Sequence, residues 1–337
     1  MPPEVGLLKR MAQLYVSNNH IEGPIPEGTF TIKPLQVLDF SYNSLTGPVP
    51  PMIGSAKGLK QINLVSNLLS GRISQELAGA VSLEVFYVGS NELVGTIPDN
   101  LYTLGNLTDL DLSGNQLTGT ISTKIGQLRN LTSLMLGPNA FQGEIPTTIG
   151  KLSKLKTLVV HDVPQLGGRL PTQYARNLNQ LMELRISQTN IFGNIETGFG
   201  DLSHLTSLDF SSNQLRGTIP SELGNLGNLT TLNLASNFLE GPIPATLGNL
   251  VNLTSLYLNN NVLTGGVPID FSMLDHLQTL QLDGNSLTGR VPPEICALRS
   301  VDLQTFQVDC SSTVNGATVG LICSIPSCCT GCTSNFN

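Results

Sequence analysis

The chain has 337 residues, of which 12% are charged, with 17 basic against 24 acidic side chains and a formal net charge of −7 at pH 7. Charge is well below the usual quarter of residues and no basic run occurs, which disfavours nucleic acid and anionic membranes as partners. No apolar stretch reaches the roughly 18 residues of a bilayer-spanning helix.

The opening Met1-Pro2-Pro3-Glu4-Val5-Gly6 reads like the middle of a longer pattern; Val291-Pro292-Pro293-Glu294-Ile295 is nearly the same phrase. It has neither the charged start nor the apolar core of a signal peptide, and no cap of the kind solenoid ends need. The expectation is a chain that continues a longer one, with a signal, a cap or a membrane anchor lost upstream of Met1.

From there a 24-residue phrase fills the chain in twelve copies. One copy begins Leu107-Thr108-Asp109-Leu110-Asp111-Leu112-Ser113-Gly114-Asn115-Gln116-Leu117-Thr118-Gly119-Thr120-Ile121, which gives the template LxxLxLxxNxLxGxI, usually followed by Pro. The Asn recurs at Asn19, Asn43, Asn67, Asn91, Asn115 and Asn139, and again at Asn213, Asn237, Asn261 and Asn285. Two copies between these runs carry Pro164 and Thr189 in its place. Self-similarity at a fixed period marks a repeat architecture. The LxL segment predicts a short strand whose apolar residues point inward. No copy can bury its apolar face alone, so stacking must form the core. The Asn amide donates and accepts, and so can satisfy backbone groups at a buried turn.

The LxGxIP phrase resembles plant-type extracellular leucine-rich repeats, as in receptor ectodomains, receptor-like proteins and polygalacturonase-inhibiting proteins, over residues 1–309. The resemblance implies an α/β repeat solenoid: a right-handed superhelix with a concave parallel β-sheet, short second strands, and 3-10 segments on the convex side. The domains expected are a repeat array at 1–295 and a last turn with a Cys-rich cap at 296–337.

All six cysteines lie in that tail: Cys296, Cys310, Cys323, Cys328, Cys329 and Cys332. An even set in a terminal segment reads as a disulfide-stapled cap from an oxidising compartment. Cys296 and Cys310 bracket the last turn and are the first pair expected. Zinc is the alternative, but the tail holds no His and no second CxxC, so no metal or other cofactor is assigned. The tail is similar to the caps of diatom-type leucine-rich-repeat proteins. Export is also suggested by four glycosylation sequons, at Asn106, Asn130, Asn228 and Asn252. All four fall nine residues before a ladder Asn, so NLT can equally be repeat consensus.

Strand residues six, four and two places before the Asn are expected on the concave face. The middle column departs from the Asp/Asn default at Tyr87, Met135, Val159, Arg185 and Tyr257, among others. With His161 and Asp209 these are the candidate ligand-binding residues, because exposed aromatic and Arg side chains on a rigid sheet suit recognition. The register slips between Lys156 and Glu196, where extra residues fall at 158–166 and within 172–177. No P-loop, HExxH or kinase signature occurs. His161 beside Asp162 has no nucleophile placed with it. The expected function is therefore non-enzymatic: a receptor-like or adhesive ectodomain, extracellular or at the cell surface. Its partners would be a protein, peptide or glycan and, by the resemblance, a co-receptor. A secreted inhibitor of a wall-degrading glycosidase is the alternative, and an ice-binding solenoid a more distant one.

Overall fold

The structure, a computed structural model, describes residues 2–309, 312–314, 317–323 and 328–333. They form two compact units, Met1–Gly167 and Gly168–Asn337.

Each turn of the first unit repeats three pieces. In one turn the LxL segment is the strand Asp109–Asp111, a second strand follows at Gln116–Thr120, and a 3-10 segment closes the turn at Thr123–Gln127. The LxL strands pair in parallel and in step, Gln13 with Val37, then Gln61, Val85, Asp109, Ser133 and Thr157. The second unit does the same from Glu183 through Ser207, Thr231, Ser255 and Thr279 to Thr305. Residues of one phase therefore stand in columns.

The core follows from the period-two alternation. Leu107, Leu110, Leu112, Leu117, Ile121, Ile125 and Leu128, all from one turn, are buried, each worth about 1.5–3 kcal/mol before the entropy of ordering is charged. Aromatic residues replace aliphatic ones in places; Phe199 and Phe210 meet edge to face at 5.3 Å. Pro sets the exit from the second strand. Pro98 (φ −70°) and Pro220 (φ −63°) sit extended ahead of the 3-10 segments Asp99–Thr103 and Ser221–Asn225, as the ring requires.

The ladder Asn joins consecutive turns. Asn91 Nδ2 donates to Val88 O and Gly89 O of its own turn and to Leu64 O of the preceding one, at 3.0–3.1 Å, while Leu69 N–H donates to Asn91 Oδ1 at 2.9 Å. Asn67, Asn139, Asn213, Asn237 and Asn261 are buried in equivalent brackets. The residue just before the Asn turns the corner in the left-handed region: Ser66 (φ 56°), Ser90 (φ 54°) and even Tyr42 (φ 54°). That conformation is uncommon for a bulky side chain.

The irregular stretch has a local explanation. Where other turns carry a 3-10 segment, Thr172–Asn177 is a short α-helix with Tyr174 and Ala175 buried. An α-turn takes more residues than a 3-10 turn, and absorbs the insertion. Thr189, at the Asn phase, is buried and donates its hydroxyl to Asn213 Oδ1 at 2.5 Å.

The last turn runs from the helix Pro293–Ala297 to the strand Thr305–Asp309. The segment Ala317–Ile322 pairs in parallel with Ser286–Arg290 and in antiparallel with Ser312–Val314. The cap pairing departs from expectation. Cys296 is bonded to Cys328, not to Cys310, and Cys323 to Cys329. Proximity in sequence misled here, because the strand Gly331–Thr333 returns to lie along Thr305–Asp309 and brings Cys328 back over the helix. Cys310 and the side chain of Cys332 lie outside the described residues.

Candidate ligand-recognition site

In the first unit the strand face carries Tyr87, Asp111 and Met135 as successive register partners of the middle column. At about 4.8 Å per strand, Tyr87 and Met135 stand roughly 10 Å apart. Tyr87 is half-buried. Burial pushes its phenol pKa up, the charges of Asp109 and Asp111 push it further, and a hydrogen bond to the Asp109 side chain adds to the rise. Asp109 also accepts from the Thr108 hydroxyl at 2.6 Å. Asp111 Oδ1 accepts from Ser113 N–H (2.9 Å) and Ser113 Oγ–H (2.6 Å). Its other edge leans over Gly89, where an added Cβ would meet the carboxylate at 2.6–3.0 Å. A side chain at 89 would displace that carboxylate from its place on the strand face. The result is an aromatic side chain set against two carboxylates on a rigid sheet. Lys60 and Glu84 pair at 3.1 Å on the neighbouring column.

Two other candidates of this unit differ. Val159 is only 8% exposed, because the strand Thr157–His161 buries three consecutive residues and the alternation breaks there. A valine side chain ends at Cγ, beside a methionine at the same register position, and stays low on the face. His161 closes this strand half-exposed, its backbone packed against Gly137, where an added Cβ would lie 2.6 Å from His161 N.

In the second unit, Arg185, Asp209, Asn233 and Tyr257 are successive register partners, so Arg185 and Tyr257 lie roughly 14 Å apart. Arg185 Nε donates to Ser187 Oγ at 3.0 Å and lies 3.3 Å from Asp209 Oδ2. Asp209 Oδ1 accepts from Ser211 N–H and Oγ–H at 2.9 and 2.6 Å. Asp39 and Asp111 hold their serines the same way. The aspartate column therefore clasps strand ends first, and Arg185 and Asp209 largely satisfy each other.

Further along this face, Asp283 Oδ1 and Asn259 Oδ1 are buried acceptors without a donor. Burial raises the Asp283 carboxyl pKa above its usual range, its backbone hydrogen bond pulls it back, and the charge of Asp309 adds to the rise. The folded chain thus holds this proton more tightly than the unfolded chain. The stability linked to it is fully present below the ordinary carboxylate range and falls as pH rises through the raised pKa. Asp283→Asn is expected to raise the urea midpoint at neutral pH and to flatten that decline. Parallel pH profiles for variant and wild type would rule the effect out.

The sequon residues have structural work to do. Asn106, Asn130, Asn228 and Asn252 each donate Nδ2–H to a backbone carbonyl of the preceding turn, at 2.7–2.9 Å. Thr132, Thr230 and Thr254 add hydroxyl donations to the same turn at 2.9–3.2 Å, while Thr108 divides its one hydroxyl hydrogen between Asp109 and Glu84 O. Stacking alone therefore accounts for NLT at this phase. Asn130 Oδ1 also accepts from Lys154 at 2.8 Å.

Among the described residues no group of three His, Cys, Asp or Glu is placed to hold a metal, and no helix is long and apolar enough to cross a membrane. One surface escaped the sequence reading. Phe192 and Phe238 are exposed on the second sheet, each beneath an arginine. The signal was apolar residues one and three places after the Asn phase, where the template expects polar ones.

Leucine-rich-repeat models match residues 179–239, 228–287, 34–56 and 106–128. The chain belongs to the leucine-rich repeat family. Among solved structures, a TDR receptor is 36% identical with a TM-score of 0.85, over 88% of this chain and 51% of that one. The plant peptide hormone receptor RGFR1, in complex with RGF2, is 31% identical with a TM-score of 0.83, over 91% and 52%. The Arabidopsis receptor kinase HAESA ectodomain, in complex with an IDA peptide hormone, is 29% identical with a TM-score of 0.78, over 91% and 55%. The chain thus spans about half the length of these receptor structures. No curated protein sequence matches it.

Proposed function

We propose that this chain is the recognition module of an extracellular, receptor-like protein, and that the strand face of its first unit binds a peptide or protein ligand. One observation carries the reading: Tyr87 stands half-buried on a parallel sheet against Asp109 and Asp111. A half-buried aromatic with its hydroxyl already placed loses little entropy on contact. Similar solved structures bind peptide hormones, which supports a peptide over a glycan. The Cys296–Cys328 and Cys323–Cys329 disulfides suit an oxidising compartment. A glycosidase inhibitor would use an acidic face too, but no observation favours it over a peptide receptor.

The test is a selection from a random peptide display on the folded chain, followed by titration of the selected peptides. Tyr87→Ala should weaken them at least about tenfold, as loss of a central aromatic does, with the melting temperature unchanged. Tyr87→Phe should keep most of the affinity. Undiminished binding by Tyr87→Ala would remove Tyr87 from the site.

A further inference from the structure

The second sheet of the second unit presents an unusual outer face. Its strands pair as Phe192 with Gln214, Arg216 with Phe238, and Glu240 with Val262. Inward residues at alternate positions, Leu215, Leu239 and Leu263, are fully buried. Outward, Phe192, Phe238 and Val262 are 45%, 48% and 46% exposed. Two guanidinium groups lie over the rings: Arg169 is 6.0 Å from the Phe192 centroid and Arg216 is 5.2 Å from the Phe238 centroid. The stem of Arg169 also crosses Gly193, where an added Cβ would lie 3.5 Å from its Cγ. The ion pairs among the described residues include neither arginine.

A guanidinium held near an aromatic face by cation–π attraction can still offer its N–H groups to a carboxylate. Two phenyl rings are left half uncovered beside two cations. Large exposed apolar side chains grouped on one face mark interaction surfaces. Charge decides what fits. Arg169 and Arg216 outnumber Glu240 on this face, in a chain whose net charge is −7. The patch is locally positive on an acidic protein, so it selects an acidic partner.

We propose that this face docks an acidic, apolar segment of a partner protein, its carboxylates on Arg169 and Arg216 and its apolar side chains on Phe192, Phe238 and Val262. The surface lies on a different sheet from Tyr87, and the inference stands independently of the peptide reading.

The probe is a short synthetic peptide alternating Glu and Leu, titrated against the full chain, with Lys–Leu and Glu–Ser peptides as controls. Wild type should bind Glu–Leu at least about tenfold more tightly than either control. Arg169→Gln/Arg216→Gln and Phe192→Ser/Phe238→Ser should each lose that preference. The arginine pair is fully surface-placed, so its variant decides the matter should the phenylalanine variant fold poorly. Equal binding by wild type and the arginine variant overturns the proposal, as does equal affinity for Lys–Leu. Sedimentation of the same proteins closes the remaining route. A wild-type dimer that Phe238→Ser converts to monomer would make the occupant a second copy and overturn the partner assignment.

Discussion

Replacing Asn91 by Ala is expected to cost about 3–5 kcal/mol, as much as truncating a core leucine. The side chain serves four backbone groups in a buried site, its two N–H hydrogens shared among three carbonyls. Its removal strands the Leu69 N–H and strips the Leu64 and Val88 carbonyls, and each unmade buried group costs about 1–3 kcal/mol. Asn91→Asp should not rescue the loss, because a carboxylate can accept from Leu69 but cannot donate to the three carbonyls. Urea unfolding measures the total, and hydrogen exchange at Leu69 locates it. A change below about 1 kcal/mol would mean that water replaces the amide and that the bracket is dispensable.

Breaking the Cys296–Cys328 bond should have the second largest effect. It closes a sequence separation of 32 residues, against 6 for Cys323–Cys329. Chain entropy then assigns about 3–4 kcal/mol to the first bond and about 2 to the second. The double change Cys296→Ala/Cys328→Ala should therefore loosen the last turns most. Exchange protection should fall in Thr305–Asp309, the strand that lies beside the returning Gly331–Thr333 segment. The first unit, which shares none of these bonds, should unfold at an unchanged denaturant concentration, as stacked repeats with nearest-neighbour coupling allow. Loss of protection spread evenly over both units would contradict the local role.

The turn-by-turn architecture was legible because phase alone carries it. Asn67, Asn91 and Asn237 occupy one position in the 24-residue phrase, and in a parallel stack one phase becomes one column with one set of partners. The site was only partly legible. Phase also placed Tyr87 and Arg185 on the strand face, and the Asp-Ser default there pointed to strand-end bonds such as that of Asp111 with Ser113, yet it could not show that Arg185 is answered by Asp209. That depends on side-chain rotamers between turns. Val159 failed because alternation breaks where Leu158, Val159 and Val160 are all buried. Cysteine pairing failed because it depends on where the chain returns, which spacing does not encode. The Phe192 and Phe238 face was not legible because its signal is two isolated apolar residues at variable positions beyond the Asn, in different columns of the repeat.

Most side-chain donations between turns share a direction. Asn91 reaches Leu64, Asn106 reaches Val81, and Thr254 reaches Thr230, each from a later turn to an earlier one, whereas Arg129 and Thr189 donate forward, to Lys151 O and Asn213 Oδ1. A ribosome delivers the earlier turn first. Within each unit, a newly emerged coil then carries side-chain donors that fasten it to a platform already made, while a few bonds, such as those of Arg129 and Thr189, wait for the next coil. Growth by accretion from the N-terminal side suits a repeat array, where folding can propagate neighbour by neighbour.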